Sequence, residues 1–173
     1  MNFKKLICTV LAVMTVACAI SSCGGDNDSK VTESGKTSAA EQAGTETKAA
    51  DVTATADKLK SDISYDDELI ELEGEKIQKI MGVSEDKYSS CKIYISSSGA
   101  TPEEIACFEA VDETAAADIK SAIESRIEAQ KNTFTDYNPE QAPKLDSPVL
   151  KVNGNCVYLC ISGDNAKAEE IIG

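Results

Sequence analysis

The chain has 173 residues, of which 30 are acidic and 17 basic, giving a formal net charge of −13, and it contains no histidine. An acidic surface of this kind repels phosphate backbones, so no nucleic-acid partner is expected. Without histidine the chain lacks the commonest general base and metal ligand, which excludes Ser-His-Asp and Cys-His machinery and argues against a metal site or other cofactor.

At the N-terminus, Lys4 and Lys5 precede an uncharged, proline-free apolar run from Leu6 to Ile20, the layout of an export signal. At 15 residues the run is shorter than the roughly 20 that a membrane-spanning helix needs. It ends in Ile20-Ser21-Ser22-Cys23, followed by Gly24-Gly25-Asp26. This resembles the lipobox of bacterial lipoproteins: a branched aliphatic residue, two small residues that fit the peptidase, and the cysteine that receives diacylglycerol. Cys18, after Thr15-Val16-Ala17, is the competing acceptor, with a poorer first position. The expectation is a signal peptide over residues 1–22, lipid on Cys23, and a protein held on the outer face of the cell membrane by acyl chains, two of which give stable anchoring.

From Gly24 to about Ala56 the residues are mostly Gly, Ser, Thr, Ala, Asp, Glu and Lys, with Val31 and Val52 as the larger apolar ones. This composition predicts a flexible tether over 23–54 with a reach on the order of 30 Å. The remaining residues, 55–173, suffice for one compact domain with one core.

Within that domain Ala56, Leu59 and Ile63, spaced three and four apart, predict a helix with Thr55 as its cap. Leu69, Ile70 and Leu72 form a short apolar patch, and Ile77, Ile80 and Met81 give one helical face that Gly82 ends. Cys91, Ile93 and Ile95 alternate with Lys92, Tyr94 and Ser96, a half-buried strand. Thr101-Pro102-Glu103-Glu104 has the form of a capping box. A helix there would collide with the next one, which Asp112-Glu113-Thr114 begins, so Ile105 to Val111 is read as a second strand. The long helix carries a stripe of Ala116, Ile119, Ile123 and Ile127, with Lys120, Glu124, Arg126 and Glu128 largely outside it. Polar Gln130 and Lys131 suggest that its buried face ends within a turn of Ile127, with irregular chain from Thr133 to Pro148. Asn153-Gly154 between two apolar runs is a strong hairpin signal, and a last helix is expected from Asn165 to Ile172. The fold class expected is α+β: a small, mostly antiparallel sheet of two hairpins packed on one long amphipathic helix with shorter flanking helices.

The run Ser97 to Ala106, the long helix, Tyr137-Asn138-Pro139 and the Gly154-to-Leu159 hairpin resemble the domain of unknown function 4358, found in small lipoproteins of clostridia-type Gram-positive bacteria. The resemblance covers roughly Asp67 to Gly173. It implies the envelope compartment and the α+β fold, and it transfers no catalytic or binding residue.

The chemistry must then come from the side chains themselves. Ser84-Glu85-Asp86-Lys87 and Ser89-Ser90-Cys91-Lys92 match the Ser-x-x-Lys pattern of penicillin-recognising enzymes, but the partner motifs are missing. Asp66-Asp67-Glu68, and Glu103-Glu104 with Glu109, are the carboxylate groups that an acid/base pair or a calcium ion would use; calcium-loop spacing is absent. Cys91, Cys107, Cys156 and Cys160 lack Cys-x-x-Cys spacing, and each reads as a small buried hydrophobe. If the first two strands turn about Gly99, Cys91 and Cys107 face each other as adjacent reduced thiols. Two functions remain: a membrane-tethered binding domain for an envelope protein or ligand, which is preferred, and a small envelope enzyme using carboxylates. A pocket with opposed carboxylates would favour the enzyme.

Overall fold

A computed structural model describes residues 51–173; Cys23, Cys18, the expected signal peptide and most of the expected tether lie outside the described residues. The fold is α+β. Five strands, β1 (Leu69–Glu71), β2 (Tyr88–Ser96), β3 (Glu104–Ala110), β4 (Val149–Asn153) and β5 (Cys156–Ile161), form one antiparallel sheet in the order β1-β2-β3-β5-β4.

Helices cover both faces of the sheet. On one face α2 (Glu75–Met81) and the long α3 (Glu113–Tyr137) pack Met81, Ile119, Ile123 and Ile127 against Ile93, Phe108, Val157 and Leu159. On the other, α1 (Val52–Asp62) and α4 (Asn165–Ile172) pack Val52, Leu59 and Ile172 against Ile105, Cys107, Tyr158 and Cys160. This double cover explains why the sequences of β3 and β5 read as almost continuous apolar runs while β2 alternates: strands buried on both faces lose the polar side.

The first helix begins at Val52 rather than near Ala56, inside the stretch read as tether. Asp51, not Thr55, is the cap, its carboxylate accepting the backbone N–H groups of Thr53 and Ala54 at 3.1 Å each. Val52 is buried with Ala56 and Leu59, one residue per turn of the same face, and so belongs to the core. Gly82 ends α2 as expected, at φ +72° in the left-handed region, its N–H bonded to the Gln78 carbonyl.

The long helix runs further than the pattern of its first turns suggests. Phe134 is buried, two turns beyond Ile127 on the same stripe. The intervening Gln130 is polar because it bonds a buried carboxylate, described below, and not because the packed face has ended. No glycine or proline interrupts residues 128–137, and the helix stops at Asn138, the residue before Pro139, where proline disfavours helical backbone. The segment read as irregular therefore shrinks, and it holds a 3-10 turn, Ala142–Leu145, whose Leu145 is fully buried.

The two strands around Gly99 are strands, but their register is offset by one residue from the expectation. Cys91 stands opposite Phe108, and Cys107 opposite Lys92. An even-numbered connection, residues 97–102, closes the hairpin from Ser96 to Glu103, so no single residue lies at its centre. Because side chains alternate, a slip of one residue places the two thiols on opposite faces: Cys91 in the α3 layer and Cys107 in the α1 layer. Adjacent thiols are thereby excluded for this pair. A β-bulge between Tyr88 and Ser90 then shifts the parity of β2, which brings Tyr88 to the same face as Cys91 and Ile93.

Candidate functional site

The segment Thr101-Pro102-Glu103-Glu104 enters β3 wholly buried, and it takes two adjacent carboxylates with it: Glu103 is 2% and Glu104 1% exposed. Glutamate is almost never this buried unless paired, and each of the two has a cation of its own. Their side chains diverge, because one backbone step turns them to different sides.

Glu104 points under α3. Arg126 Nε donates to both carboxylate oxygens at 2.9 Å, Arg126 Nη2 donates to Oε2 at 2.6 Å, and Gln130 Nε2 adds a bond of 3.2 Å. Arg126 Nη1 also donates to the Ile80 carbonyl at 3.0 Å, satisfying one of the acceptors left over at the end of α2. Arg126 and Gln130 sit one turn apart on the flank of the apolar stripe, so burying Ile123 and Ile127 carries both polar groups to the carboxylate. Above them lies a shallow concavity of about 220 Å³, with Ile95, Pro102 and Phe134 as its apolar wall.

Glu103 points toward the loop between α1 and β1. It accepts the backbone N–H groups of Asp66 (2.9 and 3.0 Å) and Asp67 (3.1 Å), the Thr101 hydroxyl (3.1 Å) and the Lys144 ammonium (2.6 Å). Lys144 bridges onward to Asp66 at 2.7 Å, where Gln141 also donates at 3.0 Å. Next to this, Asp67 accepts the Ser96 hydroxyl and both the N–H (2.9 Å) and the hydroxyl (2.6 Å) of Ser98. These bonds, led by Ser96 and then Ser98, hold the Asp67 carboxyl well below the usual carboxylate range. Asn138 at the end of α3 donates to the Ala100 carbonyl at 3.0 Å. Residues 66–67, 96–104 and 126–144 are thus drawn to one end of the sheet.

The carboxylate groups singled out in the sequence are therefore regrouped. Asp66, Asp67 and Glu103 come together across the two expected clusters. Glu68 is exposed, and Glu109 lies at the far end of β3, opposite Cys156. In neither Ser-x-x-Lys match does the serine hydroxyl bond the lysine ammonium: Lys87 bonds Asp118 at 2.7 Å and Lys92 bonds Glu71 at 2.7 Å, while Ser84 bonds Asp86 and Ser89 the Glu109 carbonyl. Sequence reasoning passed over Arg126, Gln130 and Lys144. For Arg126 a signal existed: it is the chain's single arginine, the cation best suited to a buried fork with a carboxylate.

The α1 side of the sheet gathers tyrosines and thiols. The Tyr65 hydroxyl donates to the Leu59 carbonyl at 3.1 Å and lies 3.7 Å from Cys160 Sγ. Burial pushes Tyr65, Tyr158, Cys107 and Cys160 up, and burial followed by the 2.6 Å bond to Asp57 pushes Tyr94 up to about 12. In every case the folded state holds its proton more tightly than the unfolded chain, so stability is complete below the unfolded values, roughly 8.5 for cysteine and 10 for tyrosine, and falls as pH rises through the folded ones. Denaturant melts followed by circular dichroism from pH 8 to 12 are expected to show a continuous loss of stability, with the steepest part above pH 10. A flat profile across this window would contradict the burial of these phenols.

In a comparison with protein families, the one described as Domain of unknown function (DUF4358) matches residues 61–162. That span contains the Thr101-to-Glu104 segment, both buried carboxylates and their cations. No curated protein and no solved structure matches the chain.

Proposed function

The chain belongs to the DUF4358 family, and from that premise we propose that it is a lipid-anchored protein on the outer face of the cell membrane whose single α+β domain binds an envelope protein or ligand without catalysing a reaction. The observation that carries the anchor is the run Ile20-Ser21-Ser22-Cys23 behind an apolar segment flanked by Lys4 and Lys5. The preference for binding over catalysis rests on the two buried glutamates. An acid/base pair requires carboxylates that face a common site, whereas Glu103 and Glu104 diverge and are each bonded to a cation and to further donors. Their role is to join β3 to α3 and to the α1–β1 loop.

The anchor is tested by substituting Cys23→Ser in cells fed a fatty-acid analogue. The label is expected to disappear from the protein, which then leaves the membrane fraction for the medium. Label retained on the Cys23→Ser protein would move the acceptor to Cys18 and remove the basis of the reading.

A further inference from the structure

A groove of about 400 Å³ runs between α2 and the start of β2, away from the buried carboxylates. Its floor is made by the β-bulge, which sets the Tyr88 ring beside the Cys91 thiol, with Ile77 of α2 as the apolar wall and Gln78 alongside. The Tyr88 ring is braced edge-on by Phe108, centroids 5.4 Å apart, so its position is set by the core and not by solvent. The charged groups lining the groove are Glu75, at the first turn of α2, and Glu85; no basic side chain lines it, and neither carboxylate is in an ion pair among the described residues.

We propose that this groove binds the side chain of an arginine, or a lysine, presented by a protein partner. The proposal deepens the binding-domain reading and rests on it. A basic side chain is the occupant whose parts match the lining: an alkyl stem for Ile77, a cationic head for the Tyr88 ring, and charge for Glu75 and Glu85. Arginine suits it best, because a planar guanidinium stacks on an aromatic ring while donating to carboxylates. The groove opens to solvent, with Glu75, Gln78 and Glu85 exposed, so a side chain enters while its own backbone stays outside.

The half-buried Cys91 thiol supplies the readout. The full chain is alkylated with N-ethylmaleimide, and the rate at Cys91 is followed by peptide mapping in the presence of an acetylated Ala-Arg-Ala amide, its neutral Ala-citrulline-Ala counterpart, or spermidine. The arginine peptide is expected to slow alkylation of Cys91 by roughly threefold at about twice its dissociation constant, the citrulline peptide to have no effect, and Glu75→Gln with Glu85→Gln to abolish the protection. Both glutamates are exposed, so an unchanged melting curve is expected to accompany that loss. Equal protection by citrulline, protection that survives the double substitution, or none by the arginine peptide overturns the proposal. Stronger protection by spermidine overturns the protein source. If the arginine peptide fails while the full chain still retains an envelope protein reproducibly, the groove is wrong and the binding-domain reading stands; if the peptide protects and no envelope protein is retained, that reading loses its support instead.

Discussion

Replacing Arg126 with leucine is expected to destabilise the domain by about 3 to 5 kcal/mol, the range for removing one partner of a buried ion pair. The Arg126 side chain is 20% exposed and the Glu104 side chain 1% exposed, so the loss leaves a carboxylate out of water with the Gln130 amide as its remaining side-chain donor. It also unbonds the Ile80 carbonyl at the end of α2. Removing both charges together, Glu104→Leu with Arg126→Leu, is expected to cost less than Arg126→Leu alone, because the stranded charge is then gone. Urea melts of the three proteins decide the order. A double variant less stable than the single one would mean that the pair contributes through packing rather than charge.

Glu103→Ala is expected to cost about 2 to 3 kcal/mol, less than Arg126→Leu although Glu103 makes more bonds. What is left behind differs in kind. Losing Glu103 strands the Asp66 and Asp67 N–H groups and the Thr101 hydroxyl, but Lys144 keeps Asp66 as its counter-ion at 2.7 Å. No cation is left without a partner, and the penalty is that of unsatisfied neutral donors. Hydrogen exchange at the Asp66 and Asp67 amides gives a local check: both are expected to exchange much faster in Glu103→Ala and to stay protected in Arg126→Leu under native conditions. Protection retained in Glu103→Ala would show that the loop before β1 is held by other contacts.

Elements whose signals are local were legible in the amino-acid order. Glycine at position 82 ends α2 because the left-handed conformation there costs it little. Asn153-Gly154 opens the β4–β5 hairpin, and the last helix spans Asn165–Ile172 as expected. The choice of strand over helix after Thr101-Pro102-Glu103-Glu104 also followed from order alone, since two helices could not occupy adjoining residues. The two residues of that capping-box pattern are used otherwise: Thr101 donates to Glu103 inside a buried loop, and Glu104 pairs with Arg126.

Tertiary structure alone decided the rest. Gln130 looked like the end of a buried face because its partner, Glu104, lies 26 residues away. The facing of Cys91 and Cys107 depended on whether the connection between their strands holds an odd or even number of residues, and that of Tyr88 on a bulge that composition does not mark. Val52 lies in a polar stretch, and its burial follows from the docking of α1 on β2 and β3. The residue types at 103 and 104 show that two carboxylates enter the sheet. Which cations neutralise them was set by the helix and the turn that the fold brings to that end of the sheet, because a buried charge takes its partner from whatever lies near it in space.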